Sequence, residues 1–309
     1  MLVRRATVWC LRTANLMRTA RDYILPAFFA DSLVLGPHWI YDPGQISEWY
    51  PEGIRNYDAP RSSYHPGKQA GDLTHYGDQA LALLECLAGS GDWPSEWRRW
   101  AVKARAEKIS YFDGASRGTL ENLEAGGAEP SESSDLGGAA RAASVFLMPS
   151  SLEEVVELAR IQTALTHGDP RVIDAAEFFA RAAFSTGAGA SFDESFDEAA
   201  GHPYEALPAI DWLSAARSSV DRELAVVASE FGISCDIDGA FQLTLATALC
   251  HESRPVEALS ANAMLGGDSA ARGMLLGLLF GARHGAGVFP AEWLDQLSAA
   301  NRIEAALIR

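Results

Sequence analysis

At 309 residues, 48% of them hydrophobic, the chain can bury a large core, and one domain accommodates it. A formal net charge of −16 excludes capture of nucleic acid or an anionic membrane by overall attraction. A phosphate ligand stays open, because helix N-termini and a bound cation supply local positive potential. Cys10, Cys86, Cys235 and Cys250 form no CxxC pair and no cluster, which argues against a zinc ribbon or a disulfide scaffold and for free thiols in a cytoplasmic protein.

Along the chain, Arg4, Arg5, Arg12, Arg18 and Arg21 precede the first acid, Asp22. That bias is seen in organellar transit segments, but Arg12 interrupts any signal-peptide core, so residues 1–22 are read as an N-terminal extension or first helix. Residues 23–309 are read as one helical domain. Helical periodicity predicts elements over 23–35, 79–87, 97–112, 172–184, 210–231, 241–250 and 291–307, and a helix over 152–164 started by Ser150 or Ser151. Period-two strand patterns are absent, so the expected class is all-α. Segments 41–68, 126–138 and 186–204 read as loops, the first a candidate lid, the last an exposed acidic excursion. The apolar run 273–282 is bounded by Arg272 and Arg283 and is too short to span a bilayer. Gly273, Gly277, Gly281 and Gly285 recur every four residues, a bare stripe that calls for close contact with another helix.

Two turns, nearly two hundred residues apart, carry most of the functional signal. They are Gly71-Asp72-Leu73-Thr74-His75-Tyr76-Gly77-Asp78 and Gly266-Gly267-Asp268-Ser269-Ala270-Ala271-Arg272. Each places glycines, acids and hydroxyls before a long apolar run, a pattern that offers backbone N–H groups and oxygen ligands to a phosphate or its cation. Either alone reads equally as an N-cap. Together they predict one cleft, with Thr74, Gly266, Gly267, Ser269 and Arg272 as substrate-binding residues. Six of the seven histidines sit beside Gly or Pro or in such turns, and His38, His65, His75 and His167 are the candidates to join that cleft.

These motifs resemble the ADP-ribosylglycohydrolase family, from about Pro26 to Leu297. Ala27-Phe28-Phe29-Ala30-Asp31-Ser32-Leu33 is similar to the family's first helix, and 71–81 takes the place of its Gly-x-x-Thr-Asp-Asp-Thr motif. Asp135-Leu136-Gly137-Gly138-Ala139-Ala140-Arg141 is similar to its Asn-Gly-x-x-Met-Arg segment, and Thr166-His167-Gly168-Asp169-Pro170 to its Thr-His-x-x-Pro helix start. Asn262-Ala263-Met264-Leu265-Gly266-Gly267-Asp268, followed by the glycine-striped helix, is the closest match. The resemblance implies an orthogonal all-α bundle, two Mg²⁺ or Mn²⁺ ions in a cleft, and hydrolysis at the anomeric carbon of ADP-ribose, on a small molecule or an ADP-ribosylated protein.

The departures fall on the metal ligands. Where the family has Thr-Asp-Asp-Thr this chain has Thr74-His75-Tyr76-Gly77, and Ala270 and Ala271 replace an acid and a hydroxyl after Asp268. His38 stands where the family has a glutamate. Only Thr74 and Asp268 carry over as metal positions. Loss of three aspartates weakens any Mg²⁺ or Mn²⁺ site. Three arrangements remain open: one metal on Asp268 with Asp78 or Asp72, a softer ion using His75, or a cation-free site in which Arg272 faces a phosphate. Asp31, His75, Asp78 and Asp268 are the catalytic candidates for hydrolysis of an N-glycosidic bond in an ADP-ribose-like or nucleoside-derived substrate. A binding protein that kept the cleft and lost turnover is the alternative.

Overall fold

In the computed structural model, which describes residues 18–148 and 151–308, the chain is all-α, with no strand among the described residues. The helices are α1 (Ala20–Val34), α2 (Pro43–Trp49), α3 (His75–Ala88), α4 (Trp93–Glu107), α5 (Gly114–Glu124), α6 (Gly137–Ala140), α7 (Leu152–Ala164) and α8 (Pro170–Gly187). They continue as α9 (Phe192–Ala200), α10 (Ala209–Arg217), α11 (Leu224–Phe231), α12 (Ile237–Cys250), α13 (Pro255–Leu265), α14 (Ser269–His284), α15 (Ala291–Gln296) and α16 (Ala300–Leu307). Two short 3₁₀ segments, Arg141–Leu147 and Ala286–Val288, join them. Arg4, Arg5, Cys10, Arg12 and Ser150 lie outside the described residues. No described helix is long and apolar enough to cross a membrane.

The central pair is α14 against α1. Every residue of α14 from Ser269 to Ala282 is buried. The glycine stripe lies on α1 in antiparallel order. A methyl on Gly277 would sit 2.3 Å from the Pro26 carbonyl oxygen and 2.6 Å from Ala27 Cα, and one on Gly281 would sit 2.1 Å from the Asp22 carbonyl oxygen. Pro26 has no N–H to return to that Asp22 carbonyl, so the glycine backbone packs over a carbonyl the helix leaves unbonded. At one end of the pair, Arg18 donates to the Ala282 carbonyl at 2.9 Å and the Arg283 carbonyl at 2.5 Å, completing the C-terminus of α14 with a cation. At the other end, Trp39 N–H donates to the Gly267 carbonyl (2.8 Å) and Gly267 N–H to the Ile40 carbonyl (2.7 Å). The turn after α1 is thereby locked to the turn that starts α14.

Several sequence boundaries shift. The segment 210–231 is two helices, because Ser218–Glu223 turns between them, and 291–307 is likewise split at Leu297, whose neighbour Ser298 donates to the Gly71 carbonyl. The helix read over 97–112 stops at Glu107, where Lys108 takes a left-handed conformation (φ 53°). The segment 186–204 is not an exposed excursion: it contains α9, whose Phe192 and Phe196 are buried. The lid candidate 41–68 contains α2, started by Asp42, whose carboxylate accepts from the N–H groups of Gly44 and Gln45. Ser151 caps α7, and its hydroxyl oxygen accepts from the Glu154 N–H.

Because the atoms facing Gly277 are backbone, Gly277→Ala can be accommodated only by separating α1 from α14. Urea unfolding should show it about 3 kcal/mol less stable, whereas Gly287→Ala, with open space at that position, should stay within about 0.5 kcal/mol of wild type.

Candidate active site

The locked end of the α1–α14 pair carries the site. Asp268 closes the turn before α14, and its Oδ2 accepts from the Tyr76 hydroxyl at 2.8 Å. Tyr76 lies in the first turn of α3, so the two helix starts picked out in the sequence meet. The N–H groups of the turn at 266–269 are not free, however. Gly266, Gly267, Asp268 and Ser269 donate to the carbonyls of Ala263, Ile40, Ile233 and Gly267. Gly266 and Gly267 have φ of 68° and 59°, and a Cβ on Gly267 would lie 2.0 Å from the Ile233 carbonyl oxygen. These glycines shape the turn. Ser269 is buried, with a hydroxyl that meets no partner. Arg272 is also buried, and its guanidinium is held by the Asn262 side chain (3.0 Å) and the carbonyls of Gly266 (2.7 Å) and Ile233. It braces the turn from behind.

Asp31, on α1, accepts from both the N–H (2.8 Å) and the hydroxyl (2.5 Å) of Thr74, the N-cap of α3. Gly77 makes this approach possible, since a methyl there would fall 2.1 Å from Asp31 Oδ2. Burial raises the Asp31 carboxyl to about 7 against the two Thr74 bonds. Asp78 points elsewhere: Lys68 holds both its oxygens at 2.8–2.9 Å. Burial raises its pKa and Lys68 opposes that.

His38, His65 and His75 converge beside Asp268. His38 follows α1, His65 belongs to the long loop, and His75 opens α3. All three are buried, and one ring nitrogen of each lies within 4.8 Å of the others. His65 Nε2 is 3.2 Å from His75 Nδ1. His38 Nδ1 lies 3.8 Å from Asp268 Oδ1, and His75 Nε2 lies 3.5 Å from Asp113 Oδ2. Both nitrogens of His38, Nδ1 of His65, Nε2 of His75 and Oδ1 of Asp268 have no hydrogen-bond partner among the described residues. Burial lowers the His65 pKa to about 2 and that of His75 to about 3, so these imidazoles are neutral. Burial also raises Asp268 to about 7, with the Asp135 charge adding to it.

Trp39 covers the group. Its ring centroid lies 4.5 Å from that of His38, 4.9 Å from that of His75 and 5.4 Å from that of His65, with Tyr64 and Tyr111 edge-on to it. Its φ of 63° is a left-handed conformation that a tryptophan adopts only under constraint.

His167 joins through a second set of contacts. Its Nε2 lies 3.0 Å from Asp135 Oδ1, and its Nδ1 lies 2.9 Å from the Thr166 hydroxyl. Asp135 also accepts from Gly137 N–H, and Gly137 packs directly on the Tyr76 ring. Burial raises the Asp135 carboxyl, but the His167 charge and bonds outweigh it and leave a pKa of about 2. Buried Arg141 donates to Gln79, Gln162 and Thr166, tying α3 and α7 to this side. Asp236, by contrast, caps α12, and exposed Asp238 pairs with Arg171.

Tyr76, Asp113, Asp135, Arg141 and Trp39 escaped the sequence reading as site residues. Asp113 had a visible signal, an Asp-Gly pair ahead of a helix, but its side chain also accepts from Ser116 N–H as an ordinary cap. Only the fold turns it toward His75.

The family described as ADP-ribosylglycohydrolase matches residues 12–309. A solved structure titled "ADP-ribosylglycohydrolase-related protein complex" is similar in fold, with a TM-score of 0.68 and 23% identity over 94% of this chain and 95% of that one. No curated protein matches. With a family match over nearly its whole length and the all-α architecture to go with it, the chain belongs to the ADP-ribosylglycohydrolase family.

Proposed function

We propose that the protein hydrolyses an N-glycosidic bond of an ADP-ribose-like or other nucleoside-derived substrate, free or protein-attached, at the Asp268 carboxyl. One observation carries the reading: Asp268 is held by Tyr76 through one oxygen, while its other oxygen is buried with no hydrogen-bond partner among the described residues. An orphaned buried carboxylate oxygen is costly unless a ligand completes it. Its pKa of about 7 leaves it partly protonated at neutral pH, as a proton donor to a leaving group requires. The anomeric C–N bond breaks with its electron pair leaving on nitrogen, Asp268 supplies the proton that nitrogen takes up, and water adds to the anomeric carbon and gives up one proton to the Asp268 carboxylate, which restores the acid. His38 stands beside the reacting carboxyl, its Nδ1 3.8 Å from Asp268 Oδ1. Asp31 acts as a positioning residue, since both its oxygens anchor Thr74 and thus the start of α3.

A pair of Mg²⁺ or Mn²⁺ ions does not fit these residues. Two hard cations need a shell of oxygens, whereas the groups beside Asp268 are three imidazoles and a phenol. The Asp31 oxygens are taken by Thr74 and those of Asp78 by Lys68. The hydrolytic reading therefore rests on side chains alone. A second reading, ligand binding without turnover, draws on the rings of Trp39 and Tyr111, which lie against the histidines, with Tyr64 edge-on to Trp39.

Release of free ADP-ribose from modified arginine, modified serine and nucleotide substrates separates these readings. Asp268→Asn should lower turnover about 100-fold or more, while Asp238→Ala leaves it nearly unchanged, at matched folded fractions by circular dichroism. Equal rates for wild type and Asp268→Asn would remove Asp268 from the mechanism. ADP-ribose binding with no turnover on any substrate would establish the binding protein instead.

Calorimetry with Mg²⁺ and with Mn²⁺ should show no tight uptake of two ions per chain. Two tight sites would mean that other oxygens had replaced the lost ligands.

A further inference from the structure

Burying three imidazoles together is unfavourable unless their nitrogens are satisfied. A neutral imidazole carries one N–H and one lone pair, and each needs a partner when water is excluded. The single contact among these rings, between His65 Nε2 and His75 Nδ1, accounts for one N–H and one lone pair. Both nitrogens of His38, Nδ1 of His65 and Nε2 of His75 remain. A structural role in packing explains the aromatic faces but leaves these polar edges without an account.

We propose that His38, His65 and His75 bind one transition-metal ion of the zinc class. Zinc–nitrogen bonds of 2.0–2.1 Å at tetrahedral angles put two ligand nitrogens about 3.3 Å apart. His65 Nε2 and His75 Nδ1 are already 3.2 Å apart, and one ring nitrogen of His38 lies within 4.8 Å of a ring nitrogen of each of the other two. Carboxylates stand beside two of the rings. With Nδ1 of His75 toward the metal, its Nε2 faces Asp113 Oδ2 at 3.5 Å, the imidazole–carboxylate pairing that fixes a ligand's tautomer and orientation. Asp268 Oδ1 lies 3.8 Å from His38 Nδ1 and has no other partner. An all-imidazole set favours zinc, cobalt, nickel or copper over magnesium and calcium. Three protein ligands leave a fourth position for water or an incoming ligand, on a site that Trp39 closes over.

The segment 35–74 gains a function on this reading. It delivers two of the three ligands, His38 and His65, and the residue over them, Trp39, from the stretch ahead of α3, and its end at Thr74 sets His75, the third ligand, at the start of that helix. The inference stands apart from the hydrolase reading, because ion binding is measured without turnover.

The test uses the untagged full-length protein, stripped with a chelator and titrated with Zn²⁺ by calorimetry and with Co²⁺ by visible absorption. One ion per chain is expected, with the d–d bands of low-coordinate cobalt and displacement of Co²⁺ by Zn²⁺. His38→Gln and His65→Gln, each checked for native circular dichroism, should weaken binding at least tenfold, and His202→Ala should not change it. His65→Gln lies in a loop and guards against loss of the fold. A folded protein that takes up neither ion at high micromolar concentration would overturn the proposal, as would uptake unaffected by either glutamine substitution.

Discussion

The antiparallel contact between α1 and α14 sets the geometry of everything else in the site. Glycine at 277 and 281 lets the two backbones touch, which no other residue would allow. Once they touch, the C-terminal end of α1 and the start of α14 are forced to the same pole. Asp31, near the end of α1, and His38, just after it, are thereby brought to the same pole as Asp268 at the start of α14. The reciprocal hydrogen bonds of Gly267 with Trp39 and Ile40 complete the registration. Glycine costs about 1 kcal/mol relative to alanine at each helical position. Continuous burial of the α14 leucines and Phe280 offsets that cost.

A second constraint is charge. Asp31, Asp113, Asp135 and Asp268 are all buried, yet among the described residues no lysine or arginine bonds to Asp268. The protein accommodates them in different ways. Asp135 keeps its charge through His167, whereas Asp31 and Asp268 sit near neutrality through burial. Arg141 and Arg272 supply positive charge from a distance, each with its donors committed to neutral side chains and carbonyls. Two carboxyls of similar chemistry thus hold different protonation states a short way apart, the arrangement from which acid and base roles are divided in hydrolytic sites.

Trp39 links the two constraints. A left-handed tryptophan costs about 1–3 kcal/mol, and it persists here because its N–H is fixed to Gly267 while its ring stacks on His38. The strain falls on the residue that separates the histidines from solvent. Strain placed at such a point marks a segment whose conformation serves the site, since the core gains nothing from it. The same loop brings Tyr64, which is 46% exposed, edge-on to Trp39.

The sequence by itself determined the all-α class, the family and the position of the glycine-striped helix, and it singled out the turns at 71–78 and 266–272 that the fold brings into contact. Those features are local: capping residues, 3.6-residue periodicity and glycine spacing act within a few residues of chain. It also picked out His38, His65, His75 and His167 by their turn contexts. It could not say that three of them share one point while the fourth pairs with Asp135, because that depends on how four separated segments are folded onto the α1–α14 pair. Tertiary structure alone decided that Asp78 belongs to Lys68, that Arg272 braces its own turn, and that Tyr76, an apparent loss from a metal motif, is the donor that fixes Asp268. Side-chain direction, desolvation and partner choice are set by what packs around a residue, and that environment is assembled from parts of the chain that have no local signature in common.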